Sequence, residues 1–150
     1  MIKLRHCFLI ALLVGTAFAT AGCNDTPTSP TTTDTTTTTT IASPTFTEEF
    51  LGTVPVSGSA FYSFSVTTYG TVTATLTSVS GSFVPATVTL GLGLGVPSGE
   101  TCAVTSSINT AKGATAQLST TYQPGVYCVM VSDVGNLFAA ANVAVTIAYP

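Results

Sequence analysis

The chain has 150 residues, 45% of them hydrophobic and only 6% charged. Two of its three basic residues, Lys3 and Arg5, lie in the first five positions, so the rest of the chain sets Lys112 alone against six carboxylates, a side-chain charge of −5. That balance excludes nucleic-acid binding, which needs lysine and arginine clusters to displace counterions, and electrostatic attachment to anionic lipid.

The opening is a short positive stretch, Met1 to His6, followed by an apolar run from Phe8 to Phe18. This is the pattern of a secretory leader, and the run is too short to span a bilayer, which takes roughly 20 apolar residues. Thr20-Ala21-Gly22-Cys23 resembles the lipobox of bacterial lipoproteins, with Thr20 where that family has leucine. The resemblance implies cleavage after Gly22 and acylation of Cys23, and so a chain lipid-anchored to a membrane of the bacterial cell envelope. Acyl chains hold by burying CH₂ groups, about 0.8 kcal/mol each. Ala17-Phe18-Ala19 offers the alternative cut of an ordinary signal peptidase, which would leave a soluble periplasmic or secreted protein.

Residues 23–45 follow as a tether. Thr31-Thr32-Thr33-Asp34 leads into six threonines, Thr35 to Thr40, with Pro27, Pro30 and Pro44 interrupting any strand. Such a segment has too little apolar surface to offset its ordering entropy, which predicts disorder.

From residue 46 to 150 the pattern has period two. Tyr62, Phe64 and Val66 alternate with serines, and Val72, Ala74 and Leu76 with threonines. Val88, Leu90, Leu92 and Leu94 alternate with Thr89, Gly91 and Gly93. Two further runs are Tyr127-x-Val129-x-Val131 and Val143-x-Val145-x-Ile147-x-Tyr149. Weaker strands are expected near 46–51 and 115–120. Turn chemistry bounds the runs at Ser57-Gly58, Tyr69-Gly70, Gly81-Ser82, Pro97-Ser98-Gly99, Pro124-Gly125 and Gly135-Asn136,. Seven or eight short strands, each apolar on one face, predict an all-β antiparallel sandwich, because each sheet needs a second to cover its apolar side.

The order Phe46-Thr-Glu-Glu-Phe-Leu-Gly-Thr53, then Gly58-Ser59-Ala60-Phe61-Tyr62-Ser-Phe64-Ser-Val66, then Gly70-Thr71-Val72 resembles bacterial pre-peptidase C-terminal-like domains. Pro124-Gly125-Val126-Tyr127-Cys128-Val129-Met130-Val131-Ser132-Asp133 is similar to their penultimate strand. The resemblance implies a jelly-roll-like sandwich acting as an accessory module of secreted bacterial proteins, often beside a protease, although none is attached here.

Of four cysteines, Cys7 leaves with the leader and Cys23 would be acylated. Cys102 and Cys128 remain, an even pair in an oxidising compartment, which predicts a disulfide. Cys128 shares parity with Met130, opposite the Tyr127-Val129-Val131 face, so the bridge is expected on the outer side of the sandwich.

No catalytic residue can be named. A triad or Cys-His pair needs a base, usually histidine, and His6 in the leader is the only one. Glu48 and Glu49, as neighbours on a strand, point to opposite faces. Glu100, Asp133 and Asn136 are weak calcium candidates, too few for the six to eight oxygens required, and Asp133 and Asn136 suit their own turn better. No cofactor is expected. Leu90-Gly91-Leu92-Gly93-Leu94-Gly95 lacks the lysine and helix of a phosphate loop, and reads as a strand whose bare face admits another backbone, that of a crossing loop first or else of a partner. Thr71, Thr73, Thr75, Thr77, Thr87 and Thr89 are expected as solvent-facing rows. Tyr69, Phe83 and Phe138, on loops, are the aromatic candidates for ligand contact.

The sequence therefore predicts a non-enzymatic accessory or interaction module displayed from a bacterial membrane through its lipid, with an extracellular protein or polysaccharide as partner. The alternatives are a structural surface coat and, further off, a hydrolase.

Overall fold

The computed structural model describes residues 39–150; the leader, Cys23 and most of the tether lie outside the described residues. Eight strands follow one another: β1 (Phe46–Val54), β2 (Ser59–Val66), β3 (Gly70–Ser80), β4 (Leu90–Ser98), β5 (Thr101–Thr110), β6 (Leu118–Tyr122), β7 (Gly125–Ser132) and β8 (Ala141–Tyr149). They form two four-stranded sheets, β1-β8-β3-β6 and β2-β7-β4-β5, with every pair antiparallel. Every connection except the β4–β5 hairpin crosses from one sheet to the other, which is the winding of a jelly roll. The expected all-β sandwich is the fold.

Alternation decides which residues face the space between the sheets. Val72, Ala74 and Leu76 on β3, Leu90, Leu92 and Leu94 on β4, Val129 and Val131 on β7, and Val145 and Ile147 on β8 are all fully buried. On β3 the register with β8 slips between Leu76 and Ser78. This bulge inserts one residue, reverses the parity, and so returns Val79 to the core,. Thr77, the extra residue, donates its hydroxyl to the Ala144 carbonyl at 3.1 Å.

Three expectations shift. β5 was not marked by any run, because it is an edge strand whose sequence, Thr-Cys-Ala-Val-Thr-Ser-Ser-Ile-Asn-Thr, buries only Cys102. β6 begins at Leu118 rather than 115. Gln117 takes the place of further ladder bonds: its Oε1 accepts from the Leu76 amide at 2.8 Å and its Nε2 donates to the Ala111 carbonyl at 2.9 Å. β4 begins at Leu90, with Val88 held in a turn by Pro85. Thr87 and Thr89 therefore lie in a loop, and only Thr71, Thr73 and Thr75 make the expected outer row on β3.

The Cys102–Cys128 disulfide joins β5 to β7, the two strands that flank β4, on the outer side of their sheet. Strands separated by a third stand ~10 Å apart, yet these Cα atoms are 5.9 Å apart. The β4–β5 hairpin closes that gap by curling at a register slip between Leu94 and Gly95. A Cβ on Gly95 would sit 2.7 Å from the Val104 Cα, so glycine is required where β5 folds over it. The backbone admitted by the bare face is thus the chain's own hairpin partner.

The connections gather at two poles. The β2–β3, β4–β5 and β6–β7 turns share one pole with the start of β1 and the end of β8, where Ala42 pairs with Gly70 and Thr45 donates to the Tyr149 carbonyl at 2.9 Å. We term this the terminal pole. The β1–β2, β3–β4, β5–β6 and β7–β8 loops form the opposite, loop pole.

Candidate functional site

At the loop pole, Asp133 ties two loops together. Its Oδ1 accepts from the amides of Gly135 (2.8 Å), Asn136 (2.8 Å) and Leu137 (3.1 Å), and its Oδ2 from the amide of Ser57 (2.8 Å). Its own amide donates to the Gly58 carbonyl at 2.9 Å. These amides, Ser57 foremost, hold its carboxyl below the ordinary carboxylate value,. Asn136 Nδ2 reaches the Thr89 carbonyl at 3.0 Å and so adds the β3–β4 loop. Asp133 and Asn136 therefore serve their turns. Glu100 sits in the β4–β5 hairpin at the other pole, so the three weak calcium candidates are not brought together. No three His, Cys, Asp or Glu side chains gather among the described residues.

Out of this braced frame project Phe83, on the β3–β4 loop, and Phe138, on the β7–β8 loop, each 88% exposed. Val56, on the β1–β2 loop, and Val134, on the β7–β8 loop, are also exposed at this pole. Phe83 has φ +65°, a left-handed conformation that a bulky residue adopts only at a cost of order 1 kcal/mol. The neighbouring Val84 packs against the core while Phe83 stays outside it. Tyr69, the third aromatic candidate, lies instead at the terminal pole, where its carbonyl accepts from Ala42 at 3.1 Å.

The strands that lead into these loops carry a second feature that the sequence reading did not identify. On the outer face of β1, β8 and β3, Leu51, Ala144 and Ser78 stand in one cross-strand row and Thr53, Asn142 and Ser80 in the next. Between them is a shallow trough of about 370 Å³. Ala144 on the central strand is small, and the β3 bulge bends the strand beside it,. Thr53 Oγ1 donates to Asn142 Oδ1 at 2.9 Å, and Leu51 forms a wall that is 70% exposed. No lining residue is charged.

The terminal pole is organised differently. Phe46, Tyr149, Phe64, Tyr127 and Tyr122 make a continuous row of rings, with centroid separations of 6.0, 5.5, 6.4 and 3.9 Å. Glu48 closes this side: its carboxylate accepts from Tyr149 Oη on its own sheet and from Tyr62 Oη of the facing sheet, the latter at 2.7 Å. The Tyr149 bond, then the Tyr62 bond, holds the Glu48 carboxyl below its ordinary value, and the same carboxylate pushes the Tyr149 hydroxyl up to about 12. Strand parity separates Glu48 from Glu49, as the sequence indicates, but does not reveal these partners. Tyr149 lies 101 residues away.

Compared with known proteins, the chain matches no family model and no curated sequence.

Proposed function

We propose that this chain is a non-enzymatic interaction module, displayed from a bacterial membrane by an acylated Cys23, and that it meets its ligand with the loop pole. The observation that carries the reading is the pair Phe83 and Phe138, each 88% exposed on loops that Asp133 and Asn136 brace. Exposed rings on a rigid frame bind with little ordering cost, and aromatic anchors of this kind dominate contact surfaces. The pole also lies opposite Ala42, where the tether enters the domain, so the attachment leaves it uncovered. The non-enzymatic part rests on commitments already made: Glu48 is bonded by two tyrosines and Asp133 by four amides. An accessory role also agrees with the resemblance to pre-peptidase C-terminal-like domains.

The test is an array of extracellular proteins and polysaccharides probed with the full chain and with its Phe83→Ala/Phe138→Ala variant. Capture by the wild type and its loss in the variant is the expected result; equal capture by both would overturn the reading. Mass spectrometry of the membrane fraction should find a diacylglyceryl group on Cys23, and an unmodified N-terminus at Thr20 would refute the anchor.

A further inference from the structure

Resting on the loop pole as the contact surface, we infer that the ligand is an uncharged polysaccharide, seated in the trough between Leu51, Ser78, Ser80 and Asn142 and stacked on Phe83 or Phe138.

The chemistry of the trough selects this class. A sugar hydroxyl both donates and accepts, so its site needs groups that do the same. Serine and threonine hydroxyls and the asparagine amide meet that need, whereas carboxylates only accept and ammonium groups only donate. The Ser78 and Ser80 hydroxyls bond no protein group among the described residues, and the Thr53 bond occupies only the carbonyl side of the Asn142 amide. Leu51 supplies an apolar wall for the C–H face of a sugar ring. The aromatic face carries partial negative charge and attracts polarised C–H groups, which gives the exposed phenylalanines a role in the same contact.

Position joins the two parts. Ser80 comes three residues before Phe83, and Asn142 four after Phe138. The first residue of the β3–β4 loop also meets the last of the β7–β8 loop: a Cβ on Gly81 would lie 2.9 Å from the Ala140 carbonyl. A chain lying along the trough is therefore led toward the rings. The trough is shallow and open, which suits an extended polymer better than an enclosed small molecule.

Charge narrows the choice further. No lining residue is cationic, so an acidic polysaccharide would find no counter-charge and would meet the repulsion of a net negative protein. A bilayer could take up the phenylalanine tips but would make no use of the hydroxyl-lined trough.

Affinity electrophoresis tests this. Native gels are cast with a soluble β-glucan, an α-glucan, a galactomannan or alginate, and the full chain is run in neutral detergent. At least one of the three neutral polymers should retard the wild type, and alginate should not. Phe83→Ala/Phe138→Ala should raise the apparent Kd by roughly 10-fold or more, the order expected for lost ring burial. Ser78→Leu, which fills the trough, should do the same. Asn142→Ala, which removes its amide, provides a second trough variant should Ser78→Leu fail to fold by circular dichroism. Retardation by alginate alone, by none of the polymers, or by a neutral polymer equally in all variants would overturn the inference. If no neutral polymer binds while the double phenylalanine variant loses capture of a protein or of zwitterionic vesicles, the polysaccharide is wrong and the loop pole stands. If the phenylalanine substitutions alter binding to no probe, the loop pole falls as well.

Discussion

The two poles of the sandwich spend aromatic side chains in opposite ways. At the terminal pole five rings form one row from Phe46 to Tyr122, and Glu48 takes the hydroxyls of Tyr149 and Tyr62 across the gap between sheets. At the loop pole Phe83 and Phe138 stand 88% exposed, although Asp133 ties the β7–β8 loop to the β1–β2 loop and Asn136 reaches the β3–β4 loop. Hydrophobicity does not separate the two cases. Strand parity carries Phe64, Tyr149, Tyr127 and Tyr122 against the core, with Phe46 at 58% exposure ending the row, whereas turn geometry, including the positive φ of Phe83, carries Phe83 and Phe138 outward. One pole holds the sheets together, and the other presents a surface.

If that division is right, stability should respond steeply to change at the terminal pole and hardly at all at the loop pole. The largest effect is expected from Phe64→Ala, which removes a buried ring between Tyr127 and Tyr149. Denaturant unfolding should show a loss of about 3–5 kcal/mol. Next comes Cys102→Ser/Cys128→Ser. Opening a loop with a sequence separation of 26 should cost about 3.5 kcal/mol by the chain-entropy model, and a wild-type melting point unchanged by reductant would contradict it.

Tyr149→Phe should cost about 1–2 kcal/mol at neutral pH and change the pH profile. The Tyr149 hydroxyl is raised from 10.0 to about 12, so its stabilisation is complete below pH 10 and lost as pH rises through about 12. Glu48 is lowered from 4.5, so its share is complete above pH 4.5 and lost as pH falls through its depressed value. The variant should lose most of the alkaline decline and keep part of the acid one, since Tyr62 still bonds Glu48.

A smaller effect of opposite sign is expected at Tyr122, whose buried hydroxyl has no hydrogen-bond partner among the described residues. Tyr122→Phe should stabilise the fold by up to ~1 kcal/mol, the penalty of an unsatisfied group. The smallest effect belongs to Phe83→Ala/Phe138→Ala, which should leave unfolding within ~0.5 kcal/mol of the wild type. A loss of several kcal/mol there would erase the distinction between the poles.

What could be read from the sequence was whatever repeats locally. Alternation gave the inward faces of β3, β4, β7 and β8, because one buried side imposes period two on each strand. Compartment and parity together gave the disulfide and its outer position. Phe83 and Phe138 could be found as aromatics between turn residues. β5 escaped because an edge strand with a polar run leaves no alternation. The Glu48 clamp and the trough escaped for another reason: each depends on strands brought together from 14 to 101 residues apart, and local pattern carries no register between them. The β3 bulge, which bends one wall of the trough, follows from pairing with β8 rather than from any residue on β3.

At Gly70 the two ends of the domain come within touching distance. A Cβ there would lie 2.5 Å from the Pro150 ring, and the Ala42 carbonyl accepts from the amide of Thr71 at 2.9 Å. Such a domain can be spliced into a loop of a host protein without prising the host's strands apart, since both junctions emerge at one spot. It can also be permuted. A short glycine linker could join Pro150 to Ala42 and a new break could fall in the β4–β5 turn, at the exposed Gly99-Glu100 step, where few bonds would be severed. The jelly-roll winding would survive such a rearrangement with every sheet neighbour unchanged, and the two phenylalanines would still face away from the seam.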